Sequence, residues 1–142
     1  MIKRKTNQLI TLYGTNDPFE IAARLNILVL FETLGNIYGF FNTSRRIRMI
    51  HINDELCDWL KRFVCAHELG HALLHPDVNT PFLRRNTLFS IDRIEKEANQ
   101  FAVELLMPDC WIQDNKHDYS TIQDMATACG IPSGLVHLKH VA

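Results

Sequence analysis

The sequence predicts an α+β fold, on three observations. Apolar runs at 27–31, 36–42 and 46–52 lie close together and are bounded by turn residues, the pattern of short strands. From Asn53 the apolar spacing changes to a helical period that persists to about His75, and a second helical stretch fills about Ile91 to Met107. Strands followed by helices, without regular alternation, give α+β rather than α/β. The length of 142 residues suits one domain over 1–142.

Each element has a local reason. The first thirteen residues are basic and show no clear element. Residues 17–26, DPFEIAARLN, read as a short helix. Asp17 can cap it, Pro18 suits its first turn, and Phe19, Ile21, Ala22 and Leu25 supply an apolar face. ILVLF at 27–31 is a buried strand, and NIYGFFN and RIRMIHI are two more around a Thr43–Ser44 turn. Three such strands make a small antiparallel or mixed sheet over about 27–52. Asn53 is the expected N-cap of the long helix 53–75, with Asp54 and Glu55 favouring its first turn through the helix dipole. Pro76 ends that helix. Residues 76–90 carry no clear element, and a loop of that length in a small domain is usually functional. The second helix, about 91–107, stops before Pro108. A helical tail over about 119–139 follows, with helices near 120–129 and 133–139 broken by GIP.

Composition excludes several function classes. The apolar share of 46% is that of a packed globule. Fifteen basic and sixteen acidic residues leave a net charge of −1, which argues against direct nucleic-acid binding. Arg45, Arg46 and Arg48, and separately Arg84 and Arg85, read as solvated surface. The N-terminus lacks the apolar core of a signal peptide, and no apolar run is long enough to cross a membrane. Cys57, Cys65, Cys110 and Cys129 form no Cys-x-x-Cys pair, so a zinc ribbon is excluded. A cytoplasmic chain with reduced, structural or incidental thiols is the expectation.

The residues that carry chemistry lie in AHELGHALLH, 66–75. On a wheel of about 100° per residue, Leu56, Leu60, Phe63, Val64, His71 and Leu74 all fall within about 60° of His67. Both histidines therefore sit in the apolar stripe, where an imidazole must hydrogen-bond or ligate something. At i, i+4 their nitrogens can converge on one zinc ion. Glu68 projects about 100° round the helix and can reach a water at the open position. This is the His-Glu-x-x-His arrangement, with the glutamate as general base. Gly70, inside the helix, costs roughly 1 kcal/mol against alanine and is expected to admit a strand or loop close to the metal. His75 lies about 12 Å of helix rise beyond His67, out of reach of the same ion, and reads as a C-terminal cap or loop contact.

A third ligand is needed, with one position left for water. The second helix offers Glu95 and Glu97. Glu95 lies about 55° from the centre of the helix's apolar arc and Glu97 about 105° away on the other side, so Glu95 is better placed to face inward and Glu97 to meet solvent. Asn99 shares the Glu95 side and could orient a ligating histidine through its other ring nitrogen. The expected architecture is a three-stranded sheet packed on a zincin-type helix core.

RFVCAHELGHALLH followed by IEKEANQFAVELLMP resembles the ImmA/IrrE family of bacterial and phage metallopeptidases. DPFEIAARLNILVL and ATACGIPSGLVHL fit the same layout, so the resemblance spans most of 17–138. It implies a gluzincin-like site: His67, His71 and Glu95 on Zn2+, with Glu68 as base. It also implies a zinc-dependent endopeptidase acting on a specific cytosolic protein, a helix-turn-helix repressor of a phage or mobile element. His117, Tyr119, His137 and Tyr38 are candidates for stabilising the oxyanion, and an edge strand such as 36–42 could hold an extended substrate. Three other readings stand beside this one: a zinc-binding regulator that inactivates a repressor without cutting it, a structural zinc, and a DNA-binding module on 120–138. Glu68 speaks against a structural zinc, and the scarcity of basic residues in the tail against DNA binding.

Overall fold

The computed structural model of the chain describes residues 1–77, 82–83 and 92–139. Helix α1 (Ile2–Tyr13) and helix α2 (Pro18–Arg24) precede strands β1 (Ile27–Glu32), β2 (Ile37–Ser44) and β3 (Ile47–Asn53). Helix α3 (Asp58–Leu74), strand β4 (Phe82–Leu83) and helices α4 (Arg93–Leu106), α5 (Asp109–Asn115) and α6 (Ile122–Ala128) follow, and a 3-10 turn, Ser133–Leu138, comes last. The α+β class is as expected.

The sheet contains the three expected strands and one more. Its order is β1-β3-β2-β4. β1 runs parallel to β3, with Val29 opposite Ile50, and β2 runs antiparallel to both β3 and β4. β4, two residues long, pairs with Ile37 and Gly39 of β2. β2 is therefore an inner strand over that stretch, which corrects its expected role as an open edge for substrate.

The β2–β3 connection lies two residues later than expected. Ser44 pairs with Ile47, so the turn is Arg45–Arg46 rather than Thr43–Ser44. Both arginines adopt left-handed φ, 51° and 68°. A two-residue hairpin needs that conformation to match the strand twist, although it costs a non-glycine residue roughly 1–2 kcal/mol. Thr and Ser looked like the turn because arginine carries no turn signal.

α3 is the central element. It packs against β2 and β3 on one side, α2 on another, and α4 most extensively, while α4 also packs against α1. Every residue from Phe63 to Ala72 is buried. A helix enclosed on all sides is read less surely from one apolar stripe than an amphipathic one. Its start differs from expectation: Asp58 begins it, with Cys57 at the N-cap. Asn53 instead ends β3, accepts from the Glu55 amide, and donates to the carbonyls of Gly35 and Ile37. Gly70 meets a different neighbour from the expected strand or loop. An added Cβ there would lie 3.1 Å from the Phe101 side chain of α4.

Two helices had no counterpart in the sequence reading. α1 buries only Ile2, Thr6 and Leu9, a stripe one residue wide, and ends at Gly14 in the left-handed conformation that glycine favours at a helix C-terminus. Pro108 both follows α4 and caps α5. The tail helices lie close to their expected positions, with Thr121 capping α6 through the Asp124 amide. The buried core runs continuously from Ile2 to Val136. Most of 76–90, including Arg84 and Arg85, lies outside the described residues.

Candidate metal centre

α3 and α4 bring three ligand groups together. Potential ligand atoms of His67, His71 and Glu95 all lie within 4.8 Å of one another. The Nε2 atoms of the two histidines are 3.1 Å apart. Glu95 Oε2 is 3.1 Å from His67 Nε2, and Oε1 is 2.9 Å from His71 Nε2. Bonds of about 2.0–2.1 Å at tetrahedral angles set zinc ligands roughly 3.3–3.4 Å apart, close to this triangle. Glu95 faces inward as its wheel position requires. Asn99, one turn on, places Oδ1 2.8 Å from His67 Nδ1.

Hydrogen positions show what this triangle lacks. Asn99 Oδ1 accepts the Nδ1–H of His67, so the ring's Nε2 is left as a lone pair. That lone pair faces a Glu95 oxygen and another imidazole nitrogen. Distances of 2.9–3.1 Å would suit hydrogen bonds, yet lone pairs meet there unless a proton or metal cation lies between them. Burial lowers the pKa of His67, though Glu95 opposes that shift. Burial raises the Glu95 carboxyl too, but N–H groups or positive charge on the two imidazoles outweigh it and would hold the group at about 2; where those nitrogens carry lone pairs, a cation takes that part. An anion beside an imidazole that resists protonation fits a metal cation better than a proton.

Glu68 completes the arrangement. It is fully buried, and neither carboxylate oxygen has a hydrogen-bond partner among the described residues. Its Oε2 lies 4.0 Å from His67 Nε2. Burial first, and then the charge of Glu95, push its carboxyl well above the usual range. A buried carboxyl without partners costs free energy, and a water held beside it by a metal at the His67–His71–Glu95 cluster would compensate that cost. Glu68, expected to reach a water at the open position, lies on a face of α3 that is enclosed like the others.

One contact escaped the sequence reading. His75, expected as a C-terminal cap or loop contact, is the C-cap residue of α3, and its Nε2 lies 3.1 Å from Oε1 of Glu97. Glu97 is 24% exposed, so the expectation of a solvent-facing glutamate holds only in part. The i, i+4 spacing of His71 and His75 was the available signal. Of the oxyanion candidates, Tyr119 packs against Trp111 and Tyr38 against the core. All four cysteines are free thiols. No helix among the described residues is long and apolar enough to cross a membrane.

Comparisons with known proteins agree with this geometry. Residues 22–139 match peptidase family M78, described as the IrrE N-terminal-like domain. The chain is 45% identical to uncharacterized immunity region protein 2 of Bacillus phage phi105, over all of this chain and 90% of that protein. It is 36% identical to metallopeptidase ImmA of Bacillus subtilis (strain 168), over 76% of this chain and 64% of that protein's length. The span that matches includes both helices of the His-His-Glu cluster. The chain is therefore a member of the ImmA/IrrE family of metallopeptidases.

Proposed function

We propose that the chain is a zinc-dependent endopeptidase, with His67, His71 and Glu95 as metal ligands, Glu68 as general base and Asn99 as the residue that orients His67. The observation that carries this reading is the His67–His71–Glu95 triangle with a buried Glu68 beside it whose oxygens have no hydrogen-bond partner among the described residues. Two imidazoles and one carboxylate form a donor set found at catalytic zinc, with a fourth position for water. A bound zinc ion would supply Lewis acidity, polarising the scissile carbonyl and acidifying water. Glu68 removes the proton of the attacking water and delivers it to the leaving amine. Asn99 keeps His67 in the tautomer whose Nε2 is free to ligate. The surrounding core excludes bulk water, which strengthens every charge interaction in the site.

The substrate in this reading is a cytosolic protein, a helix-turn-helix repressor of a phage or mobile element. Similarity to a phage immunity-region protein and family membership support it. The continuous core supports a single domain, and the near-neutral charge supports a protein rather than a nucleic-acid partner.

The test is incubation of the zinc-loaded protein with a helix-turn-helix repressor of the same genetic element, and separately with casein. Discrete repressor fragments, with casein spared, are expected. Glu68→Gln should cut cleavage by about 10²–10⁴-fold, the usual contribution of a general base, while retaining metal. Repressor inactivated by binding, without fragments, would establish the sequestering alternative instead.

A further inference from the structure

His75 cannot reach the ion, yet the structure ties it to a ligand. Pro76 disfavours helical backbone in the residue before it, and His75 leaves α3 with φ −136° and ψ 59°. Its ring folds back along the helix. Nδ1 lies 3.4 Å from Nδ1 of His71, with the rings tilted by 56°. On its other side Nε2 meets Glu97 Oε1 at 3.1 Å. Arg93, one turn before Glu97, lies 3.6 Å from that same oxygen.

The direction of these hydrogen bonds follows from the chemistry of the groups. An ionised carboxylate only accepts, so the hydrogen between His75 and Glu97 belongs to His75 Nε2. In a neutral imidazole Nδ1 is then the acceptor. It takes the Nδ1–H of His71. That leaves His71 with a lone pair on Nε2, the atom 2.9 Å from Glu95 and 3.1 Å from His67 Nε2. Asn99 achieves the same for His67 in one step. The two histidines are thus oriented by different devices from opposite sides: a neutral amide on α4 for one, and an imidazole backed by a carboxylate for the other.

We propose that His75 and Glu97 are positioning residues that set the tautomer and ring orientation of His71. This rests on the reading of His67, His71 and Glu95 as metal ligands. Groups that hold a ligating imidazole through its second nitrogen typically affect metal affinity or activity by about 10–100-fold. A surface carboxylate behind His75 also increases the basicity of the chain, so Glu97 acts on His71 through His75 without touching it.

The competing account is a structural tie between the end of α3 and the start of α4. Three measurements on the full-length protein separate the two. Ring nitrogen NMR of the zinc-loaded protein reports whether the His71 Nδ1–H is hydrogen-bonded: protected from solvent exchange in the wild type, exchanging rapidly in His75→Ala. Zinc affinity, measured by competition with a chelator, should fall about 10–100-fold in His75→Ala. The visible spectrum of the cobalt-loaded variant should shift. His75→Gln, whose amide oxygen can accept from His71 Nδ1, should recover much of the affinity, and Glu97→Leu should lose more than Glu97→Gln. A structural tie alone would lower the melting temperature of metal-free His75→Ala and leave zinc affinity and cobalt spectrum as in the wild type, which would overturn the proposal. A His71 Nδ1–H that exchanged as fast in the wild type as in His75→Ala would overturn it as well. If zinc affinity were indifferent to His67→Ala, the metal reading itself would fail, an outcome separate from any result with His75→Ala.

Discussion

α4 carries buried glutamates at both ends, and the two are treated in opposite ways. Glu104, 1% exposed, has the Lys139 ammonium 2.8 Å from one oxygen and Lys3 3.7 Å from the other. Asp109 joins the same group, 2.8 Å from Lys139 and 3.0 Å from Lys3. This cluster ties α1, α4, α5 and the end of the 3-10 turn together with charges the chain supplies itself. At the other end Glu95 faces the imidazoles of His67 and His71, and neither it nor the neighbouring Glu68 pairs with a lysine or arginine among the described residues. Removing a carboxylate from water costs several kcal/mol unless a countercharge accompanies it. Where the chain provides the cation, the cluster is structural. Where carboxylates and lone pairs converge without one, the chain is built around a cation from outside.

The sharpest way to break this comparison is to remove the cation at the self-sufficient end. Lys139→Met leaves Glu104 buried with only the more distant Lys3. Breaking a buried pair from one side typically costs about 3–5 kcal/mol, and urea unfolding should show a loss in that range. Glu104→Leu in the same chain should recover most of it. The loss should be equal with and without chelator, since the two clusters share no residue and distant sites add. A Lys139→Met effect that depended on zinc would contradict the division into two independent ends.

The converse operation acts at the other end. Stripping the metal with a chelator should lower stability by the binding linkage, about 2.7 kcal/mol when free zinc stands at 100 times its Kd. Denaturation at several free zinc concentrations would measure it, and a curve independent of zinc would remove the basis for the comparison. Glu95→Gln should then act mainly through the metal. With zinc present it should weaken affinity by about 100-fold or more, beyond the 10–100-fold typical of outer-sphere losses. In chelator its effect on stability should be much smaller, because no lysine or arginine among the described residues pairs with Glu95.

The smallest expected effect is on pH dependence. Burial pushes the Asp109 carboxyl up, but hydrogen bonds from Lys139 and Lys3 outweigh it and leave the pKa below its ordinary value. A carboxylate depressed in the folded state contributes stability that is present above its unfolded pKa of about 3.9 and is lost as pH falls through the folded value. The stability difference between wild type and Asp109→Asn should therefore be constant above about pH 5 and shrink below about pH 4. A difference that grew on acidification would place the proton linkage elsewhere.

What the sequence determined by itself was what periodicity and chemical type can encode. The two histidines at i, i+4 in an apolar stripe, the inward Glu95 with Asn99 one turn on, the three strands and the α+β class were all legible, because each depends on neighbours within one or two turns. Tertiary structure alone decided the rest. That Asn53 ends a strand instead of capping a helix depends on carbonyls of Gly35 and Ile37. That Arg45 and Arg46 form the hairpin turn depends on the register of β2 against β3. α1 is stabilised by packing on α4 and not by a broad apolar face of its own. Lys3 and Lys139, far apart in sequence, meet at one glutamate, while Glu68 and Glu95 meet no such cation among the described residues. Local propensity carries no information about which buried charge will find a partner, because the partner arrives from distant sequence only when the core closes.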